Sequence, residues 1–450
     1  MSWLRGFLTL AALLGLGIPT ACAQQSDPLG ALVAEALRAN LGIEQERQED
    51  RRAVANVHEA RGLFLPSVTL NSRYSHLDNV LNLGDFVNPA YAALNRITGT
   101  TQFPTDIDVT QPRAHDTSVR LLQPVFNEEI RGNYALARSR RDAQRMELGS
   151  AARRLAADVQ TAYLQAASAR RAAEIYEASL DLVHENERVS ERLLEAGRAT
   201  PDVVYRARAE RAKVEQELAE ARDKQTAAAR NLNRILRRPL DSAAEALPDS
   251  VFEWPLPVSE DSAVSHGLMV REELHQADAG VKAALAERRV ATATYIPNLS
   301  VVLDYGFQGQ EFSFHQNEDY WVASLVASWH VFDGWQGASR RSAASEDVNR
   351  SRTFRQDLAE RIEVEIRTAY GDAAVAWSAI ATADTRLVAA RRTFELVRRR
   401  YEEGAASSIE FVDARTTYTN AQLNRVLTGY GYAVRWVELE RAAALRAPAF

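Results

Sequence analysis

Gln160-Thr-Ala-Tyr-Leu-Gln-Ala-Ala-Ser-Ala169 lines up with Arg367-Thr-Ala-Tyr-Gly-Asp-Ala-Ala-Val-Ala376, agreeing at six of ten positions at an offset of 207. The same offset pairs Gly197 with Gly404, and Ala207-Arg208 with Ala414-Arg415, without a gap. Upstream, Phe64-Leu-Pro-Ser-Val68 resembles Tyr295-Ile-Pro-Asn-Leu299, and Val125-Phe126-Asn127 resembles Val331-Phe332-Asp333. The chain is a duplication. Each half reads helix, proline, strand, loop, strand, long helix, glycine turn, helix.

The long helices carry the strongest periodicity. In the first, Leu148, Leu155, Ala162, Ala169, Tyr176 and Val183 recur at heptad position a, and Ala152, Val159, Ala166, Ala173, Leu180 and Leu194 at d, with Glu187 as the exception. A shift of 207 keeps the register through Ile362, Ala369, Ala376, Ala383, Ala390 and Val397 at a, and Ala359, Ile366, Ala373, Ile380, Leu387, Phe394 and Tyr401 at d. A 3.5-residue repeat sustained this long specifies left-handed coiled-coil packing, and its alanine-rich centre requires closely spaced axes. At ~1.5 Å per residue, each long helix runs roughly 100 Å. Gly197 and Gly404 are placed to end these helices, and Thr200-Pro201 and Ser407-Ser408 to open the return helices.

Between the helices lie four segments of period two. Val301, Leu303, Tyr305 and Phe307 alternate with Val302, Asp304, Gly306 and Gln308, and Trp321 to Val331 alternate with Val322 to His330. In the first half Val68, Leu70 and Tyr74 alternate with Thr69, Asn71, Arg73 and Ser75, facing a strand near Thr117–Phe126. Alternation over about ten residues is the weak signature of an outer-membrane strand. Trp321 and Trp329 fall on one face roughly 26 Å apart at ~3.3 Å per residue, close to the apolar band of such a barrel. A half-buried fragment of a soluble sandwich would alternate in the same way. Four strands leave two bare edges, which lipid does not tolerate, so several chains must share one barrel: eight strands for a dimer or twelve for a trimer.

The 450 residues carry 54 basic and 60 acidic side chains, with charged residues at 25% and hydrophobic ones at 46%. That balance excludes a disordered chain, a polytopic helical membrane protein, and bulk attraction to nucleic acid. Residues 1–23 read as a signal peptide, with a basic start, an apolar run over Phe7–Ile18 and the small-x-small pattern Ala21-Cys22-Ala23. Pro19 stands where a lipid-attachment motif wants a large aliphatic residue, so cleavage after Ala23 is expected rather than lipidation of Cys22. The eight histidines are scattered, so no catalytic, cofactor-binding or metal site is expected.

This organisation resembles the TolC-like outer membrane efflux protein family over residues 27–445. The motifs that carry the resemblance are Pro66 and Pro297 at the strand entries, Leu122-Gln-Pro-Val-Phe126, Val331-Phe-Asp-Gly334, and Tyr401-Glu-Glu-Gly-Ala-Ala-Ser-Ser-Ile-Glu-Phe-Val-Asp-Ala-Arg415. The resemblance implies a mainly α fold with a small β part. It divides the chain into a first repeat (24–235, strands ~66–77 and ~115–126, hairpin ~131–235), an equatorial segment (236–262), and a second repeat (263–450, strands ~297–309 and ~320–332, hairpin ~336–445). It further implies a homotrimer that forms a helical barrel in the periplasm and a shared 12-stranded barrel in the outer membrane of a Gram-negative-type bacterium. Its function would be that of the exit duct of a tripartite efflux or type I secretion system. The implied partners are a periplasmic adaptor, an inner-membrane RND or ABC transporter and outer-membrane lipid, with no nucleic acid.

The family narrows at the periplasmic tip, where acids after the second glycine turn line the aperture. Glu410 and Asp413 hold the matching spacing from Gly404, although acids in a first helical turn also suit the helix dipole without any pore role. Tyr401 matches a position that holds the family's tip closed by hydrogen bonding. Ala406 stands where a basic partner is expected, and Asp202 falls one place before the family acid, whose slot holds Val203. The turns at Gly197, Thr200, Gly404 and Ser407 correspond to the adaptor-docking tips, and Trp321, Trp329, Tyr305 and Phe307 to a lipid-facing belt. A soluble periplasmic coiled-coil adaptor or scaffold is the alternative, which accounts for the hairpins but not for the strands.

Overall fold

The computed structural model describes residues 28–76, 81–109, 114–243, 255–309, 311–315 and 318–446, so residues 1–23, read as a signal peptide, and Cys22 among them lie outside the described residues. In chain order the elements are α1 (Pro28–Ala39), α2 (Leu41–Gly62), β1 (Ser67–Tyr74), α3 (Gly84–Thr98), β2 (His115–Phe126), α4 (Glu128–Glu195), α5 (Pro201–Leu236), α6 (Glu260–Val270), α7 (Glu272–Ala293), β3 (Asn298–Gly309), β4 (Asp319–Ser328), α8 (Gln336–Glu402) and α9 (Ser408–Ala442). The fold is mainly α with one small sheet, and the helix-strand-strand-helix-helix order occurs twice.

α4 and α8, of 68 and 67 residues, each run about 100 Å. Their heptad stripes are inside. Ala152, Leu155, Val159, Ala162, Ala166 and Ala173 of α4, and Ile362, Ile366, Ala369, Ala373, Ala383, Ala390 and Phe394 of α8, are buried. Glu187, the one break in the first stripe, is held by Arg208 at 3.2 Å and Arg211 at 2.8 Å from α5. α5 and α9 return along α4 and α8, and α9 also packs on α4, giving the order α5–α4–α9–α8 in the tip half. Towards the sheet α2 and α7 take over as neighbours of α4, in the order α2–α4–α7–α8. Each takes up where a return helix stops: Asn40 Nδ2 donates to Ile235 O at 3.3 Å, and Arg271 Nη1 to Ala442 O at 3.2 Å.

The main hydrophobic cores sit midway, where short helices brace the coils. Leu29, Leu32, Val33, Ala36 and Leu37 of α1 pack with Val159, Tyr163 and Leu164 of α4, Leu236 of α5 and Tyr430 and Val437 of α9. Ala263 and Val264 of α6 pack with Ile362 and Ile366 of α8 and Leu439 of α9. A methyl on Gly267 would meet Ile366 Cδ1 at 2.4 Å, so α6 lies against α8 with Ile366 occupying the space that a side chain at 267 would need. The described ends of the segment after α5 are pinned to the coils, with Asn233 Nδ2 donating to Leu240 O and Ser242 O, and Trp436 Nε1 to Pro255 O.

The four strands form one antiparallel sheet, β1-β2-β3-β4, so its central pair joins the two repeats and both outer strands are unpaired along one side. Two sequence expectations need correction. The β3–β4 ladder ends at Asn298↔Ser328, because the residue before Asn298 is Pro297, which has no N–H to extend it. β4 therefore stops short of 332, and Trp329 lies beyond the strand that was expected to carry it. The connection between β1 and β2 is not a plain loop either, since it contains the 15-residue helix α3.

Candidate functional site

The sheet has two chemically different faces. Cross-strand register puts Val68, Leu70, Val119, Leu121, Leu303, Tyr305, Phe307, Trp321 and Leu325 on one face, with Tyr305 directly opposite Trp321. Val68, Leu70, Val119, Leu303, Tyr305, Trp321 and Leu325 are all exposed within the single chain. Phe307 is propped by Tyr305 at 5.7 Å and Phe314 at 5.4 Å between ring centres. The opposite face carries paired charges: Arg120 donates to both carboxylate oxygens of Asp304 (2.7 and 3.2 Å), and Arg73 lies 3.7 Å from Asp116. Tyr320 on β4 reaches Asp116 on β2 at 3.3 Å, passing over β3 at Gly306, the residue opposite it in the ladder. Three of the four proposed belt residues thus share the apolar face, and Trp329 is an exposed residue just past it.

The hairpin tips lie at the far ends of α4 and α8 from this sheet. Gly197 (φ 71°) and Gly404 (φ 76°) adopt the left-handed conformation that ends a helix cheaply only in glycine. Gly197 N donates to Leu194 O and Arg198 N to Leu193 O, while Gly404 N donates to Tyr401 O and Ala405 N to Arg400 O. At the second tip Ser407 is the N-cap: Glu410 N donates to Ser407 Oγ at 3.2 Å, and Ser407 Oγ is 3.4 Å from Glu410 Oε1. Arg400 sits 4.0 Å from the other Glu410 oxygen. At the first tip Thr200 caps α5 without bonding its backbone, its hydroxyl donating instead to Asp202, and Arg206 lies 3.9 Å from that carboxylate.

Asp413 is exposed one turn below Glu410 and has no side-chain partner among the described residues. The Tyr401 ring stacks on Phe411 at 4.9 Å inside the α8–α9 hairpin, and its hydroxyl is buried with no hydrogen-bond partner among the described residues. Glu410, Asp413 and Tyr401 are therefore gathered at one tip, and Asp202 stands on the other.

Sequence reading missed the tie between the hairpins. Arg415 of α9 is buried, with Nη1 donating to Ser179 of α4 at 2.7 Å and Nη2 to Glu210 of α5. Burial pulls the Arg415 guanidinium below its ordinary range, and Glu210 opposes that. The nearest signal in the sequence was the alignment of Arg415 with Arg208. Arg208, however, is half-exposed and bonds Glu187 and Glu191 within its own hairpin.

Among the described residues no helix is long and apolar enough to cross a membrane, which says nothing of the sheet. Two curated proteins are similar in sequence: protein CyaE of Bordetella pertussis, 28% identical over 40% of this chain and 40% of its own, and alkaline protease secretion protein AprF of Pseudomonas aeruginosa, 23% identical over 75% and 72%. The match to CyaE thus spans under half that protein's length. Among solved structures, CusC (TM-score 0.77, 16% identity, 92% of this chain and 91% of that one) and the CmeC outer membrane channel of Campylobacter jejuni (0.76, 16%, 93% and 85%) share the fold. The outer membrane efflux protein family matches residues 32–236 and 265–445, nearly the whole of both repeats. With both halves matched and the duplicated architecture in place, the chain belongs to the outer membrane efflux protein family.

Proposed function

We propose that this protein is the protomer of a trimeric outer-membrane exit duct, serving a periplasmic adaptor and an inner-membrane RND or ABC transporter in efflux or type I secretion. The observation that carries the reading is the four-stranded sheet with an exposed apolar face, a charged face and two bare edges. Twelve such strands close a barrel whose charged face lines water and whose Trp321, Tyr305 and Phe307 meet outer-membrane lipid. The 100 Å coils below it then form a periplasmic conduit. Repeated around a threefold axis, Glu410 and Asp413 make carboxylate rings at the aperture, with Asp202 beside them on the neighbouring hairpin. The turns at Gly197–Thr200 and Gly404–Ser407 present themselves to the adaptor.

The test is fractionation. Heat-resistant trimers in detergent-solubilised outer membranes, forming ion-conducting pores in planar bilayers, are expected. A monomer in the soluble periplasmic fraction would refute the duct and leave a coiled-coil scaffold.

A further inference from the structure

The connection between β1 and β2 is a preformed unit. Asn88 clasps the returning chain at Ile107, donating to its carbonyl at 2.8 Å and accepting from its N–H at 2.9 Å. Asn95 does the same at Phe103, at 2.7 and 3.1 Å, and Tyr91 packs on the Phe103 ring at 5.5 Å. Asn82 Oδ1 accepts from Gly84 N and Val109 N, closing the base. One face of α3 is thereby committed to its own return segment. The opposite face carries Phe86, Ala90, Ala93, Leu94 and Ile97, spaced as one continuous helical stripe with no charge in it. Phe86 is 67%, Leu94 41% and Ile97 82% exposed, so nothing among the described residues covers this stripe.

We propose that the occupant is a second copy: α3 helices of neighbouring protomers pack stripe to stripe across the exterior mouth of the barrel and form an apolar cap. The proposal rests on the trimeric-duct reading. α3 follows β1, an outer strand of the sheet, so it leaves the sheet at the border with the next protomer. It does so at the end of β1 away from α2, opposite the hairpin tips.

The dimensions fit. Twelve strands spaced ~4.8 Å and tilted ~40° enclose a mouth about 24 Å across between backbones, and a 15-residue helix is about 22 Å long. Three such helices rooted on the rim reach one another.

Charge argues against the competing occupant, the lipid surface. A helix lying on anionic lipid brings lysine and arginine to its flanks. Residues 81–109 instead hold Asp85, Asp106 and Asp108 against Arg96 alone. Stripe-to-stripe contact buries the apolar side chains and leaves those acids in water. Ala90 and Ala93 at the centre let two helices approach closely, with the bulk of Phe86 and Ile97 at the ends.

The test uses the full-length protein, whose one cysteine, Cys22, lies in the signal peptide. Phe86→Cys, Ala90→Cys, Ala93→Cys and Ile97→Cys are made singly, with Asp85→Cys as a control off the stripe. Purified trimers receive a short bismaleimide, and intact cells a membrane-impermeant maleimide. Stripe cysteines are expected to cross-link into covalent dimers, to label more slowly than Asp85→Cys, and to lower single-channel conductance once cross-linked.

Equal labelling of all five variants with no covalent dimers, in trimers that remain heat-resistant, would overturn the cap alone. Slow labelling without dimers, with a fluorophore at Ile97→Cys quenched by brominated lipid, would assign the stripe to the membrane and also overturn it. Absence of trimers in the unsubstituted protein would instead sink the duct reading beneath it.

Discussion

Glu273 offers the sharpest energetic test of how the coils are joined. It sits at the start of α7, where that helix takes over from α9. Burial alone would raise its pKa, but the two hydrogen bonds from Arg271 (3.0 Å each), the charge of Arg271, its own backbone N–H and the Ser150 hydroxyl (3.0 Å) outweigh this and bring it down to about 2. Arg271 is buried and also donates to Glu365 at 2.6 Å, which Arg441 bonds at 2.5 Å, so one ionic node ties α4, α7, α8 and α9. A carboxyl lowered from 4.5 to about 2 stabilises the folded chain by roughly 3 kcal/mol at neutral pH. Because the folded pKa is the depressed one, that stability is present above the unfolded value near 4.5 and is lost as pH falls through about 2. Glu273→Gln should therefore lower Tm by about 3 to 4 °C at pH 7 for a chain of this size. The gap should shrink to less than half at pH 3. Tryptophan-monitored unfolding of the detergent-solubilised protein at both pH values, beside the exposed control Glu44→Gln, measures it. Equal Tm for Glu273→Gln and wild type at pH 7, or a gap unchanged at pH 3, would refute the reasoning.

Ala373, fully buried at a d position of α8, has no room for added volume. Ala373→Leu should cost ~1–3 kcal/mol by overpacking, and an unchanged or raised Tm would show that the stripe is not a tight seam. Leu303→Arg, on the apolar face near the proposed midplane, should cost on the order of 2–4 kcal/mol of barrel stability, while Asp304→Asn on the charged face still yields heat-resistant trimers. Equal loss of trimer in both would reverse the face assignment. Glu410→Gln with Asp413→Asn should lower cation selectivity in bilayer recordings at low salt. That effect should fade at 1 M, where the screening length is about 3 Å, and wild-type selectivity at low salt would reduce both acids to helix-start residues.

Much of this was legible because the coils are simple. A heptad stripe needs only spacing, and the two glycine turns and the Ser407-to-Glu410 cap are local devices whose partners lie within a few residues. The period-two strands could be read for the same reason. What escaped depends on chemistry brought from far along the chain. Alternation places Asp304 on the polar face of its strand, but its partner Arg120 is 184 residues away, and no spacing rule pairs them. Tyr401 is assigned to the aperture from a family position, and its stacking on Phe411 of the next helix was not visible in the sequence. α3 lies where the repeat reads only as a loop between strands. Pro89 is tolerated inside it, and Asn88 and Asn95 use their amides to hold another segment rather than to break the helix.

The duplication makes the two hairpins alike in register but not in what binds them. Arg208 and Arg415 occupy equivalent positions, yet α5 is an outer helix of its chain in the tip half, whereas α9 lies between α4 and α8. The same residue type is therefore a half-exposed surface partner in the first hairpin and a buried strut in the second. Exposed pairs such as that of Arg208 contribute at most about 1 kcal/mol each and yield easily. Drawing the second tip away from the first must part Arg415 from both Glu210 and Ser179. Deleting the carboxylate while Arg415 stays buried, as in Glu210→Ala, should cost about 3–5 kcal/mol, although Thr416 of the same helix keeps one bond to it. Within one protomer, then, the hairpins are tied near the tip by Arg415, two residues past Asp413, and by Leu182 of α4 packing on Phe394, Phe411 and Ala414, and not by the turns themselves.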